Sequence, residues 1–245
     1  MEQKLVITHW LNHLFGGVVT QVMHTVGYHP ANAAAPMDDT FALELVITVG
    51  LIVFFAIVRA TLSVEKPNTA QQIAEMVHEF SRGQCEQVIG HGYERFQSFV
   101  TCVGIFILLN NFVGLFFPKL VTPTSQPVVP LGVAVLTFLY YNFHGVREQG
   151  PIGYMKHFAG PVWWMSPLLF PVEVISHLAR VMSLTIRLYA NMLASDLLTV
   201  IFFSMIPLAV PVVFLGLHFL VSIIQAYVFM LLAMIYIAMA VAHEH

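Results

Sequence analysis

Apolar residues follow two different rhythms along this chain. In residues 5–26, Leu5, Trp10, Leu11, Leu14, Val18, Val22 and Val26 fall at helical spacing, with His9, Asn12, His13, Gln21 and His24 between them. That one-sided pattern predicts an amphipathic helix lying at a membrane surface. The stretch "ANAAAP" (31–36) offers small residues for signal-peptide cleavage, but His and Asn interrupt the apolar run that such a signal needs. From residue 41 the rhythm changes to unbroken apolar runs, at 41–62, 97–117 and about 128–146. Continuous runs of this length predict membrane-spanning helices, whereas a β-barrel would alternate. Between the first two spans, residues 64–97 are polar, with Ile73, Met76, Val77 and Phe80 on one side of a short surface helix. Pro118 closes the second span, a Pro-rich turn (118–130) leads into the third, and 147–161 reads as a loop.

The last part of the chain breaks the rule of one span per twenty residues. Between Pro171 and Pro207 lie 35 residues without Gly or Pro. A helix of that length extends about 52 Å at 1.5 Å per residue, against a hydrocarbon core about 30 Å thick. Its apolar ends forbid it from leaving the bilayer, so the sequence predicts a continuous helix tilted more than about 40° from the membrane normal. The turn "IPLAVP" (206–211) then reverses the chain into a second long helix, about 212–242. The expected fold is an all-α integral membrane protein, a single membrane domain over 1–245. It has an N-terminal amphipathic segment (1–40), three spans (41–146) and a long, steeply tilted C-terminal helical hairpin (166–245).

Composition agrees with this reading. The chain is 58% hydrophobic and 9% charged, where a soluble domain carries about 25% charge. No polar block is long enough for a soluble catalytic domain, and no P-loop, dinucleotide fingerprint or nucleophile motif occurs. A net charge of −3 is small and says nothing about partners. Cys85 and Cys102 have no metal-like spacing and read as free thiols. Counting Lys and Arg gives the orientation. Arg59, Lys66, Arg82, Arg95, Arg147 and Lys156 flank one side, against Lys4 and Lys119 on the other. The N-terminus is therefore expected outside and the C-terminus in the cytoplasm.

One feature resists a purely structural account. After Lys156 the only Arg or Lys residues are Arg180 and Arg187, both inside the long apolar helix. A guanidinium in hydrocarbon costs about 2.5–3.5 kcal/mol on insertion scales. Glu173, Ser176, Arg180, Ser183, Arg187 and Asn191 follow one another at steps of three, four, three, four and four, so they form one polar stripe. Asp196 is nine residues past Arg187, on the opposite face. Glu173 is roughly 21 Å from Arg187 along the axis. Arg187 thus lacks a partner in its own helix, and its fixed charge points to an anion supplied by another molecule. In the following helix His218, Ser222 and Gln225 make a second, shorter stripe. Asn110 and Asn111 read as helix–helix hydrogen bonders, and Trp163 and Trp164 as part of an aromatic belt.

These residues carry a resemblance. "SLTIRLYANMLASD" followed, after a proline turn, by "LHFLVSIIQAYVFMLLAMIYIAMAVAHEH" resembles subunit a of the membrane sector of rotary ATP synthases. The likeness is specific over 166–245, looser over the earlier spans, and slight in 1–40. It implies that Arg187 faces the carboxylates of a rotating c-ring. It also implies an outer half-channel containing Asn191, Asp196, His218 and Gln225, and a cytoplasmic half-channel containing Glu173 and Ser176. Arg180 and Ser183 are secondary. Where the family often has an aspartate after the second span, this chain has Gln126, so no ion-pathway role is assigned to that turn. The resemblance further implies a stator subunit that is not an enzyme by itself, without cofactor or metal, in a bacterial inner membrane. Its partners would be the c-ring, peripheral-stalk b subunits and lipid, with no nucleic acid.

Two other readings compete. A haem- or quinone-binding anchor needs axial histidines within its spans; His177 and His218 lie deep and His144 at an edge, without a paired motif. A self-contained secondary transporter usually shows two related halves, and no internal repeat is seen.

Overall fold

A computed structural model describes residues 6–25, 38–63, 67–116, 122–159, 166–205 and 210–241. Among the described residues, seven α-helices follow in order: α1 (Val6–Thr25), α2 (Asp39–Ala60), α3 (Thr69–Val88), α4 (Glu94–Phe116), α5 (Val128–Ala159), α6 (Ser166–Met205) and α7 (Val210–Val241). A 3-10 turn, Pro123–Ser125, precedes α5. No strand occurs among the described residues. Among the described residues, five helical stretches are long and apolar enough to cross a membrane: Asp39–Ala60, Glu94–Leu115, Val128–Gly150, Pro167–Phe202 and Val212–Val241. The protein is an all-α integral membrane protein.

The chain divides into two compact units, Met1–Ala60 and Thr61–His245. In the first, Leu11 of α1 and Ala42 of α2 are buried together, with Val19 and Leu45 packed around them. His9, His13 and His24 are exposed, as expected of an interfacial helix.

In the second unit, α5 packs on α6, α4 on α7, and α6 and α7 on each other. Ile107, Leu184, Leu188, Met192 and Phe229 sit at the centre of one cluster. Phe96, Val100, Tyr141, Met234 and Ile237 form another. Lipid tails are as apolar as these side chains, so the clusters hold the helices together by close packing rather than by escape from water. The amphipathic α3 leaves Ile73, Met76 and Phe80 exposed. It buries Cys85, whose Sγ approaches Met234 Sδ at 3.5 Å. Burial pushes the Cys85 thiol above its ordinary pKa, partly offset by a hydrogen bond from Ser81. Both cysteines are free.

Two stretches depart from the sequence reading. The 147–161 segment, expected as loop, is helical through Ala159, with a kink at Gly150. Gly150 has φ 74° and ψ 157°, and Pro151 follows it. A residue before proline is pushed out of the α region, and glycine accepts the positive φ that remains. The long helix α6 also begins earlier than Pro171 and contains it, reaching 40 residues, or about 60 Å. It is unbroken from Pro171 to Met205, as its lack of glycine and proline predicts. Trp163, Trp164 and Lys119 lie outside the described residues.

Candidate functional site

The site is organised along α6, whose side chains divide into two faces. His177, Leu184, Leu188, Met192, Ser195 and Thr199 are buried. They recur at steps of seven, four, four, three and four, which places them along the packing face. The polar stripe lies on another side: Ser183, Arg187 and Asn191 are exposed, while Glu173, Ser176 and Arg180 are half-buried. Arg187 is near the middle of the helix and makes no hydrogen bond or ion pair among the described residues. The two carboxylates of α6 are engaged elsewhere, as their spacing from Arg187 requires.

Asp196 is held from two sides. Thr122 donates to it twice, through its backbone N–H at 3.1 Å and its hydroxyl at 2.7 Å. Its Oδ1 lies 3.6 Å from Nδ1 of His218 on α7. His218 is itself buried, with Ser195 Oγ 2.8 Å from Nδ1 and the Asn111 carbonyl oxygen 3.1 Å from Nε2. The turn that carries Thr122 is fixed by local chemistry. Pro123 starts the 3-10 turn, the Ser125 hydroxyl donates to the Thr122 carbonyl at 2.7 Å, and Thr122, Thr124 and Ser125 are all buried. Asn111 ties this turn to α7: it accepts from the Thr124 hydroxyl at 2.7 Å and donates to the Ser222 carbonyl at 3.4 Å. Asn111 thus bridges elements as expected, whereas the Asn110 amide bonds within its own helix, to the Phe106 carbonyl.

Gly114 of α4 lies against this cluster. A Cβ there would stand 2.5 Å from Thr122 Oγ1, 3.2 Å from Asp196 Oδ1 and 3.3 Å from His218 Cε1. Only glycine admits the three groups to one point. Nearer the middle of the hairpin, the Asn191 amide donates to Gln225 Oε1 at 2.9 Å. The four residues assigned to one half-channel thus appear as two contacting pairs between α6 and α7.

At the other end of α6, Glu173 lies 3.4 Å from Nε2 of His177, one turn later on the same helix. Nδ1 of His177 is 3.0 Å from the hydroxyl of Tyr141 on α5, which is also buried. Ser176 is half-buried beside this pair. Arg180 lies over the ring of Tyr236, 5.5 Å from its centroid, a cation–π contact. No group of three or more His, Cys, Asp or Glu able to hold a metal ion is found among the described residues.

Sequence reasoning missed Thr122, Ser195, His177 and Tyr141 as members of these clusters. For Ser195 and His177 the signal was available, since both lie on the buried face of α6. Thr122 and Tyr141 belong to distant elements, and no local pattern marks them.

Comparison with known proteins shows the family. The family model described as ATP synthase A chain matches residues 42–238. Proteins called ATP synthase subunit a are similar over nearly the whole chain. That of Koribacter versatilis (strain Ellin345) is 48% identical over 245 residues, covering 100% of both chains. That of Solibacter usitatus (strain Ellin6076) is 42% identical over 234 residues, 96% of this chain and 99% of the relative. The Bdellovibrio bacteriovorus protein is 35% identical over 233 residues, 92% and 98% of the two chains. The fold is that of an all-α integral membrane protein, and the chain belongs to the ATP synthase A chain family.

Proposed function

We propose that this chain is the stator ion-channel subunit of a rotary ATP synthase, with two offset half-channels that load and unload ions on the carboxylates of a rotating c-ring. The observation that carries the reading is Arg187. It is exposed near the middle of a membrane-length helix, without a partner among the described residues, between two carboxylate–imidazole pairs. An arginine does not give up its proton in a protein, so it is a poor relay and a good barrier. It attracts a deprotonated rotor carboxylate arriving in hydrocarbon and releases it when an ion neutralises that carboxylate. Asn191, Asp196, His218 and Gln225 would line the outer half-channel, and Glu173 and Ser176 the cytoplasmic one. A strongly tilted α6 would follow the curved flank of the rotor, and b subunits and lipid would cover other faces. The bilayer would be a bacterial inner membrane, with the C-terminus in the cytoplasm.

The test is ATP-driven ion pumping by the assembled complex in inverted membrane vesicles. Arg187→Ala removes attraction and barrier together, and Arg187→Lys substitutes a compact ammonium that can deprotonate when buried. Both are expected to abolish pumping while the complex still assembles. Normal pumping by the Ala variant would sink the reading.

A further inference from the structure

We infer that Ser195 is a positioning residue that fixes which ring nitrogen of His218 exchanges protons with Asp196. The inference rests on the reading of Asp196 and His218 as ion-pathway groups, with the proton as the ion exchanged, and adds a residue that the reading does not assign. Nε2 of His218 faces the Asn111 carbonyl at 3.1 Å. A carbonyl only accepts, so Nε2 carries its hydrogen in the neutral ring as well as in the charged one. Nδ1 is then the only nitrogen that can gain or lose a proton. Ser195 Oγ is 2.8 Å from it, while the nearer oxygen of Asp196 stands at 3.6 Å, beyond good hydrogen-bond reach.

These distances describe a gate made of one hydroxyl. While the imidazole is neutral, Ser195 donates to the Nδ1 lone pair and occupies it. For a proton to pass from a protonated Asp196, the carboxyl O–H bond breaks and an N–H bond forms at Nδ1, leaving a carboxylate and an imidazolium. Ser195 must turn from donor to acceptor in that step. The carboxylate left behind keeps both hydrogen bonds from Thr122. Among the described residues, Asp196 of α6 is the titratable group facing the ring. The neighbouring helix α4 presents Gly114 and the Asn111 carbonyl, the turn presents Thr122, and the Ser222 hydroxyl of α7 donates to the carbonyl of His218 itself. With one carboxylate and no second charge at the ring, the orientation of the Ser195 hydroxyl decides when Nδ1 is available.

The test compares Ser195→Ala, Ser195→Gly and Ser195→Thr in the whole complex, measuring ATP-driven pumping across about pH 5–8. Ala and Gly are expected to lower pumping about three- to tenfold and to displace the midpoint of the pH profile by at least about half a unit. Thr retains the hydroxyl and is expected to restore rate and profile. Wild-type profiles in Ala and Gly would overturn the inference, as would a Thr variant that assembles normally yet matches Ala. The underlying reading fails separately. Normal pumping by Asp196→Asn would sink it, whereas a blocked Asp196→Asn beside an unaffected Ser195→Ala sinks only the role of Ser195.

Discussion

The helix α6 contributes the carboxylates of two carboxylate–imidazole pairs, one on each side of Arg187, and they are built in opposite ways. Glu173 and His177 lie one turn apart on the same helix, and the wider cluster adds Tyr141 from one other helix. Asp196 and His218 meet across the hairpin, braced by Thr122 from a 3-10 turn, Asn111 from α4 and Ser195 from α6. The Glu173 side chain is about twice as exposed as that of Asp196, at 33% against 16%. The first pair therefore depends on little beyond α6 and opens toward its surroundings. The second depends on four separated segments and is enclosed. Perturbing one brace should thus cost more at Asp196 than at Glu173.

The largest effect is expected at Asp196. Asp196→Asn keeps the shape, removes the negative charge, and should lower ATP-driven pumping about tenfold or more with normal assembly. Wild-type flux would return Asp196 to a structural role. Next comes Gly114→Ala, because its Cβ would collide with Thr122 and crowd Asp196 and His218. Overpacking of this kind costs about 1–3 kcal/mol, measurable as a lower melting temperature of the purified complex together with slower pumping. A variant as stable and active as wild type would show that the turn yields freely. At the other pair, His177→Ala removes one hydrogen bond between α5 and α6, worth about 1 kcal/mol. It should slow pumping less than Asp196→Asn does; the reverse order would break the comparison. The smallest change is expected for Arg180→Lys. A lysine retains the charge and part of the contact between the half-buried Arg180 and Tyr236, so only part of a cation–π contact worth about 0.5–2 kcal/mol is lost and pumping should stay within about twofold.

The helices were legible because their signals are local. The runs at 41–62, 97–117 and 212–242 match α2, α4 and α7 to within a few residues. The unbroken α6 followed from a stretch without glycine or proline. The segment after residue 146 was not legible, because "GP" at 150–151 reads equally as a turn or as a kink between two helices. Within the site, the stripe through Arg187 could be traced from periodicity alone. The proximity of Asp196 and His218 could be argued from an antiparallel hairpin, but the braces could not. Asn111 is 107 residues from His218 and Thr122 is 74 from Asp196. The need for glycine at 114 exists only once those segments have met.

The exposed Arg187 also bears on how the protein is made. Before any partner arrives, the newly inserted chain presents this guanidinium on a helix whose Met182, Ile186 and Leu197 are also exposed. A charge in that setting is costly in lipid, so, if Arg187 faces a rotor carboxylate as proposed, the same residue would mark an orphaned chain as unfinished. Membrane proteases that capture helices with uncompensated charges would have a handle on the orphan and none on the complex. Pulse-chase in cells lacking the rotor subunits should show rapid turnover of the wild-type chain, slowed by Arg187→Leu.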